Sequence, residues 1–561
     1  MVSTVTSTLY RNGLIHSAAD PFAEALLIDD GVVTWIGADD TAAGLAARAG
    51  RVIDLDGALV TPGFVDAHVH TLEAGLALES VDVSPAGAPT RAAALAAIAD
   101  GARRLDATDP TGGETVLAFG WNEAAWPERA PLTREDLDAA AGGRPVYAAH
   151  ADVVHAAVSS TLAASAGLDR IPGWDPSGLV IGEAFTVARD AARQLAPERR
   201  SRAYRVALAR AAELGIVAVH EMSAAHTDTR DGLRELVALS EAGGVPQVVA
   251  YRGELVESAD DVRELMAQLP FLAGIAGDVG VDGSIGARTA ALRQPYSDVR
   301  SPWAFAASGA QQAGSAYLGA EEIGAHLAAC SAVGVQGGFH VVGDRAMDLL
   351  VAGLEVAAGL PGCGAGPLRA ARHRVEHALF VDASALASLL LYGVSASIQP
   401  AWATAWGGRD GLWEQRLGVA RTANMLPFAD LAGAGIPLAF GSDAPVTPLD
   451  PWAAVRAVVD AEDPDQRLSG RAAFRAHTRG GWRLAGLDET GAGELRVGAP
   501  AHLAVWRAQS YGVRSSGRGL SSWSAEARSG QPVLPDLSPD APAPQCLQTV
   551  RAGVPIYDTF G

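Results

Sequence analysis

The stretch TPGFVDAHVH, residues 61–70, runs from an apolar segment into two histidines that are one residue apart. Side chains two positions apart on a β-strand point to the same face. His68 and His70 therefore face the same way, and two imidazoles on one face can bind a single divalent metal ion. The stretch predicts a strand that ends in a metal site, for which other segments must supply the remaining ligands.

From about Leu59 onward, apolar strand-like runs alternate with Ala-rich helical stretches. This alternation is typical of βαβ units and a parallel sheet. The predicted strands are Leu59–Val65, Ile216–His220, Pro246–Tyr251, Gly274–Val281, Val335–Val341, His373–Leu379, Gly393–Ile398 and Ile436–Phe440. This α/β pattern favours a (β/α)₈ TIM barrel, whose active site lies at the carboxyl ends of the strands. A doubly wound open sheet is the alternative, but no GxGxxG motif follows an early strand.

The remaining segments predict two further parts. Short β-prone runs with Asn-Gly and Asp-Gly turns occupy residues 1–58, and similar runs return in residues 488–561. We expect these two segments to form one composite β domain, with a long surface loop at about residues 508–544. The barrel then covers residues 59–487. Too many residues separate its first two strands for a simple loop, so an inserted α+β subdomain is predicted at about residues 71–212.

Composition restricts the class of protein. The chain has 561 residues, of which 49% are hydrophobic, and 43 basic against 64 acidic residues give a net charge of −21. Such a surface repels phosphate backbones and anionic lipid, so we expect a small-molecule substrate and no nucleic-acid or membrane partner. Three scattered cysteines, and no apolar signal-peptide core or membrane span, favour a cytoplasmic location. A homo-oligomer is compatible with the sequence.

Three later segments place ligand-type side chains at the ends of predicted strands. His340 lies at the end of strand five, His377 at the end of strand six, and Asp443 just after strand eight. The carboxyl ends of barrel strands share one rim, so these side chains are expected to meet His68 and His70. Core packing can explain one buried histidine, but it does not explain four histidines and an aspartate on one rim.

The sequence resembles the amidohydrolase superfamily, metal-dependent hydrolases built on a (β/α)₈ barrel, and within it the branch that includes N-substituted formamide deformylases. The segments that carry the resemblance are residues 62–70, 120–122, 281–290, 340–346, 372–378 and 441–445. The resemblance implies a hydrolase that acts on carbon–nitrogen bonds other than peptide bonds. The bond would belong to an amide, a formamide or a cyclic amide.

The resemblance also implies roles by position. His68 and His70 would bind the first metal ion, and His340 and His377 would bind a second ion or serve the first ion and the substrate. Asp443 would bind metal and act as general base toward a metal-activated water, with His377 as a second catalytic residue. Zinc is the expected ion, although iron, manganese and nickel suit the same ligands.

One departure from the family bears on the number of ions. Many relatives bridge two ions with a carbamylated lysine after strand four, but this chain contains no lysine. Asp278 stands at about that position and is too short to span the same gap. We therefore favour one ion over two. Asp278 is the first candidate for a substitute carboxylate and Glu221 the second, and His220 is a candidate to support a ligand or contact substrate.

Four further residues are candidate substrate contacts. Arg288 follows an Asp-Gly-Ser segment and could clamp a substrate carboxylate, although a structural ion pair is an equal alternative. Asp152, His155 and Trp121 lie in the predicted insert and could form a lid over the pocket. The alternative is that the aromatic side chains of the insert form its own core.

Two other functions are alternatives to hydrolysis of an amide. The same site could deaminate a heterocycle, which releases ammonia from a ring instead of producing a new carboxylate. The barrel could also bind a small molecule without catalysis. The missing lysine supports this last alternative, and the retained ligand set argues against it.

Overall fold

The computed structural model describes residues 7–109, 111–151, 155–193, 195–298, 312–517, 520–524 and 531–560. Within these residues, eight strands form the central sheet: Phe64–Val69, Ile216–Ala224, Gln247–Gly253, Leu272–Ile275, Gln336–Val341, Arg374–His377, Ser395–Ile398 and Leu438–Phe440. Neighbouring strands pair in parallel. A parallel bridge between Val69 and Ala444 brings the first strand beside the segment after the eighth. The predicted (β/α)₈ barrel is confirmed.

Helices separate the strands along the chain. They are Arg230–Glu241, Ala259–Gln268, Ala320–Val333, Asp344–Gly359, Ala365–Ala371, Ala383–Tyr392, Ala401–Trp406, Leu412–Leu417, Val419–Thr422, Phe428–Ala434, Pro451–Val459, Gly470–Ala476 and Arg479–Leu484. Their ends have local causes. Ser258 caps one helix by accepting a hydrogen bond from the N–H of Asp261, and Gly393 ends another at φ 69°. Among the helices described, none is both long and apolar enough to cross a membrane.

The first barrel strand begins later than predicted. The predicted run Leu59–Val65 belongs to two strands, of which Leu59–Pro62 pairs within the β domain and Phe64–Val69 enters the barrel. Gly63 lies between them. The sequence gives no sign of this break, because every residue from 59 to 69 is buried and the apolar character continues through the change of sheet.

Gly63→Ala is expected to destabilise the protein. An ideal Cβ at this position would lie 2.3 Å from Cγ1 of Val217, which is itself buried. Overpacking of this kind costs about 1–3 kcal/mol, which thermal unfolding detects as a lower midpoint. Gly433→Ala is the control, because a Cβ there meets nothing within 4 Å and a helix interior favours alanine. An unchanged midpoint for Gly63→Ala would contradict this packing.

Segments from both ends of the chain form the composite β domain, as predicted. A four-stranded sheet has the order Val32–Gly37, Ala25–Asp29, Ser7–Arg11 and Arg51–Asp54. A five-stranded sheet has the order Leu14–Ile15, Leu59–Pro62, Leu503–Arg507, Gln545–Arg551 and Val554–Asp558. One buried core joins side chains from both ends, including Ile28, Leu55, Val505 and Val550.

The segment predicted as a long surface loop, at about residues 508–544, contains strands. Tyr511–Gly517 pairs antiparallel with Leu520–Ser524 and with Leu534–Pro535. Serine and glycine are frequent in this segment, and it lacks the β-branched and aromatic runs that usually indicate strands. The structure therefore has paired strands in the segment where the composition predicted a long surface loop.

Residues 71–207 form a compact unit of their own, and residues 1–70 with 208–561 form the other. The sheet of the smaller unit has the order Leu179–Ile181, His155–Val158, Val146–His150, Val116–Trp121 and Val81–Asp82. Its helices are Thr71–Glu79, Arg91–Thr108, Arg134–Ala141, Ser160–Ser165 and Gly182–Ala192, and Pro197–Glu213 continues past its boundary. This mixture of strands and helices agrees with the α+β subdomain expected after the first barrel strand.

Candidate metal centre

The structure brings together the five side chains that the sequence assigned to one rim. The Nε2 atoms of His68 and His70 lie 3.4 and 3.2 Å from Oδ1 of Asp443. The centre of the His377 ring lies 5.0 Å from that of His68 and 4.4 Å from that of His340. All of them except His340 are buried. These side chains form one continuous cluster at the carboxyl ends of barrel strands.

Two of these residues have an unusual backbone conformation. His377 has φ 70° and Asp443 has φ 56°, in the left-handed region that residues with a side chain seldom occupy. Such conformations cost about 1–3 kcal/mol and cluster at functional sites. Hydrogen bonds hold the segment after strand eight against strand one. The N–H of Asp443 donates to the His68 carbonyl at 2.8 Å, and Asp66 Oδ1 accepts from the N–H of Ser442 at 2.9 Å.

Three buried atoms in this cluster have no hydrogen-bond partner among the described residues: His68 Nε2, His70 Nδ1 and Asp443 Oδ1. Of these, His68 Nε2 and Asp443 Oδ1 face each other at 3.4 Å. Leaving buried polar atoms unpaired is unfavourable, and a cation between these two would bind both. Imidazole nitrogen and carboxylate oxygen are common ligands of divalent metals. The residues present therefore fit a divalent metal ion.

Two groups of three residues, found within the described parts of the chain, could hold an ion. One consists of His68, His377 and Asp443, and the other of His68, His70 and Asp278. In each group the ligand atoms lie within 4.8 Å of one another. His68 belongs to both groups.

Asp278 lies in the turn after the fourth barrel strand, which ends at Ile275 and not at the predicted Val281. Its carboxylate oxygens lie 4.0 Å from His68 Nε2 and 3.5 Å from His70 Nε2. Burial raises the pKa of Asp278, but His70, His226 and His68 together outweigh burial and hold this pKa well below its ordinary value. Asp278 thus adds a second negative charge beside the histidines.

His340 is bound to protein groups. Its Nδ1 lies 2.9 Å from Nε2 of His377, and its Nε2 lies 3.2 Å from the carbonyl oxygen of Gly283. It belongs to neither ligand group. Burial, together with the charges of His340 and His68, lowers the pKa of His377 to about 3, so the His377 imidazole is neutral near pH 7.

Sequence analysis missed three residues at this centre. Nε2 of half-exposed His226 lies 3.5 Å from Asp278 Oδ2. Gln399 Oε1 lies 2.7 Å from His377 Nδ1. The Trp402 ring stacks on the His377 ring at 4.6 Å. Gln399 directly follows a barrel strand and His226 lies two residues after another, so the rule that identified the ligands could also have found them.

His220 and Glu221 are consecutive on the second barrel strand, so their side chains point to opposite faces. His220 Nδ1 lies 3.3 Å from Arg374 Nη1. Burial and the charge of Arg374 hold the pKa of His220 well below its ordinary value. Glu221 is buried and belongs to neither ligand group. Of the two carboxylates considered from sequence, Asp278 is the one that forms part of a ligand group.

Arg288 is engaged by an acidic partner. Its Nε and Nη2 atoms donate to the two carboxylate oxygens of Asp298 at 3.0 and 2.6 Å. The same carboxylate also accepts from Arg416. Because Asp298 already occupies Nε and Nη2 of this guanidinium, the geometry favours the structural alternative over a clamp for a substrate carboxylate.

The candidate lid residues belong to the smaller unit. Trp121 is fully buried in the core of that unit, and its indole N–H donates to the carbonyl of Ala148 at 2.9 Å. This burial favours the alternative that Trp121 is a core residue. His155 is half-buried, and its ring centre lies 5.5 Å from that of Trp121. Asp152 lies outside the described residues.

Acidic neighbours set the charge of the two strand-one histidines. Burial lowers the pKa of His68, but Asp443 and Glu376 outweigh burial and raise this pKa to about 10. Burial also lowers the pKa of His70, but the carboxylates of Asp278 and Asp443 outweigh burial and raise this pKa to about 9. The carboxylates therefore stabilise positive charge at the point where His68 Nε2 and Asp443 Oδ1 face each other.

Binding of a divalent ion is expected to release protons. At pH 7, His68 and His70 hold protons in the metal-free chain, because their pKa values of about 10 and 9 lie above this pH. An imidazole must be neutral to bind metal, so binding displaces about two protons per ion. Affinity therefore rises with pH, and it rises less steeply above the pKa of His70, about 9, until the pKa of His68, about 10, is passed. Calorimetric titration with zinc in buffers of different ionisation enthalpy counts the protons, and no release at pH 7 would contradict the assignment.

The profile of the amidohydrolase family matches residues 51–557 of this chain. The putative amidohydrolase YtcJ of Bacillus subtilis is 26% identical over 474 residues, which cover 80% of this chain and 83% of that protein. An uncharacterized metal-dependent hydrolase from Pyrococcus horikoshii has a crystal structure with a TM-score of 0.69 and 25% identity. That comparison covers 89% of this chain and 97% of the other.

Similarity to the deformylase branch is only partial. The N-substituted formamide deformylase of Arthrobacter pascens is 29% identical over 154 residues, which cover 28% of this chain and 27% of that protein. The wider superfamily resemblance is confirmed, because the profile match extends across the barrel and into both parts of the β domain. With the fold of a metal-dependent hydrolase and ligand-type side chains on its rim, this chain belongs to the amidohydrolase family.

Proposed function

We propose that this chain hydrolyses a carbon–nitrogen bond in a small molecule, in an amide, a formamide or a cyclic amide. The observation that carries the proposal is the cluster of His68, His70 and Asp443, in which His68 Nε2 and Asp443 Oδ1 have no hydrogen-bond partner among the described residues. The partial similarity to a formamide deformylase supports the type of bond.

The three cysteines are unpaired, which supports a reducing, cytoplasmic location.

We propose that His68, His70 and Asp443 hold one divalent ion, most simply zinc, with Asp278 or His377 as a further ligand. Such an ion, when bound, lowers the pKa of water to about 7 and polarises a carbonyl group. A single ion is favoured because both candidate ligand groups share His68. His340, which would have to serve a second ion, is already hydrogen-bonded to His377 and to Gly283.

Metal analysis of the purified protein is expected to give one tightly held ion per chain. The physical reason is that no lysine is present to form a carbamate bridge, and Asp278 approaches the same histidines that face Asp443. The measurement is elemental analysis after gel filtration in metal-free buffer. Two tightly held ions per chain would contradict the single-ion site and leave the hydrolytic function standing.

Asp443 is proposed as the general base. Its carboxylate is buried beside His68 and His70; burial raises its pKa, but these two groups outweigh burial and hold the pKa below its ordinary value. Asp443 is therefore ionised and able to accept the proton of the attacking water. The water oxygen bonds to the carbonyl carbon, the carbon–nitrogen bond breaks, and the proton passes to the leaving nitrogen. The products are a carboxylate and an amine.

His377 is proposed to position the substrate or to complete the ligand set. Hydrogen bonds to Gln399 and His340 fix the orientation of its ring, and Trp402 stacks on one face of it. Because Gln399 Oε1 is an acceptor, the proton of the neutral ring lies on Nδ1 and the lone pair on Nε2, which is the form that can complete a ligand set.

A product assay tests the proposed reaction. Zinc-loaded protein is incubated with N-substituted formamides, cyclic amides and heterocyclic amines, and the products are identified by mass spectrometry. The proposal predicts a new carboxylate and an amine from the formamides or the cyclic amides. Release of ammonia from a ring would instead support the deaminase alternative, and zinc binding without turnover of any compound would support a binding protein.

A further inference from the structure

We propose that Glu376 and Arg374 form a positioning pair that determines which nitrogen of His68 faces the metal ion. The proposal rests on the metal site described under Proposed function, and it concerns residues that would not touch the ion. Both residues lie on the sixth barrel strand, two positions apart, and both side chains are fully buried. Residues at this spacing point to the same face of a strand.

Glu376 contacts the side of His68 that faces away from Asp443. Its Oε2 lies 2.8 Å from His68 Nδ1, whereas His68 Nε2 faces Asp443 Oδ1 at 3.4 Å. A carboxylate only accepts hydrogen bonds, so the contact requires the proton of a neutral His68 to be on Nδ1. The lone pair is then on Nε2, on the side where Asp443 and Asp278 lie. Glu376 thereby selects the form of His68 that can bind metal from that side.

Arg374 supplies the charge that a buried carboxylate requires. Its Nη2 donates to Glu376 Oε2 at 2.9 Å and to the carbonyl of Ala67 at 2.8 Å, and its Nε donates to Glu376 Oε1. The guanidinium lies 4.5 Å from the centre of the Tyr251 ring. These contacts hold the Arg374 guanidinium in place. Arg374 in turn keeps the Glu376 carboxylate at a fixed distance from His68.

An alternative is that the pair only stabilises the barrel. Buried ion pairs often contribute little net stability, because removing both charges from water offsets their attraction. The contact with His68 distinguishes the two roles: one oxygen of Glu376 accepts from both His68 and Arg374. A positioning role therefore predicts a change in metal affinity beyond any change in stability.

Glu376→Gln in the full chain tests the proposal. The amide has nearly the same shape but lacks the charge, and it leaves Arg374 without its counter-ion. We expect the zinc dissociation constant, measured by competition with a chromogenic chelator, to increase by about 10–100-fold. Glu254→Gln is the matched control, because Glu254 pairs with Arg252 at the same two-residue spacing after the third strand. The control is expected to keep the zinc affinity of the unchanged chain.

A double substitution covers the case in which Glu376→Gln does not fold. R374M/E376L removes both charges together, so that neither is left unpaired in the core. It is expected to fold and to show the same 10–100-fold loss of zinc affinity. Zinc affinity within twofold of the unchanged chain, in either folded variant, would overturn the positioning role even if the thermal midpoint falls. If the unchanged chain itself binds no zinc, the proposed function fails, and this inference fails with it.

Discussion

Asp443→Asn is expected to lower turnover by about 100-fold or more, given the usual contribution of a general base. Asparagine has the shape of aspartate but cannot accept the proton of water. It also tolerates the left-handed backbone conformation, φ 56°, that Asp443 adopts. The fold should therefore survive the substitution, so that the loss reports on the two roles of Asp443 at the site, accepting the proton and binding the ion.

The measurement is the steady-state turnover number with any accepted substrate, together with the thermal midpoint. Asp56→Asn is the matched control, because Asp56 also has a positive φ, 48°, and its side chain is exposed in the β domain. The control should keep full turnover. Near-normal turnover of Asp443→Asn would remove Asp443 from the mechanism, whatever its role in binding the ion.

His68→Ala is expected to abolish retention of the metal ion. His68 belongs to both candidate ligand groups, and its unpaired Nε2 faces Asp443. Removing the side chain deletes a ligand from either arrangement and leaves Glu376 without its histidine partner. The ion should also stop stabilising the fold. For the unchanged chain, free zinc at 100 times its dissociation constant stabilises by about 2.7 kcal/mol.

Elemental analysis and thermal unfolding with added zinc measure both effects. His502→Ala is the control, because His502 accepts a hydrogen bond from the N–H of Ala552 and belongs to neither ligand group. We expect this control to unfold at a lower temperature and still to gain stability from zinc. An unchanged ion content in His68→Ala would place the ion away from the proposed centre.

Periodicity along the sequence was sufficient to predict the barrel and the rim cluster. Strands and helices alternate regularly after residue 59, and strand ends in a closed parallel sheet share one rim. His340, His377 and Asp443 could therefore be expected beside His68 and His70 although about 270 residues or more separate them. Asp278 was identified through the resemblance to relatives that carry a lysine at about this position.

Local geometry could not be predicted in the same way. The ion pair of Arg288 with Asp298 depends on how one loop turns back, and a sequence does not record that turn. Trp121 would have the same sequence pattern in a core as in a lid, and only its burial distinguishes them. The change of sheet at Gly63 is concealed because both adjoining strands are buried.

Anomalous X-ray diffraction from crystals of the zinc-loaded chain, recorded on both sides of the zinc absorption edge, would locate the ion. We expect one anomalous peak at about 2.0–2.2 Å from the Nε2 atoms of His68 and His70 and from the Asp443 carboxylate. A peak elsewhere in the molecule, or none at this position in zinc-saturated crystals, would contradict the proposed metal site.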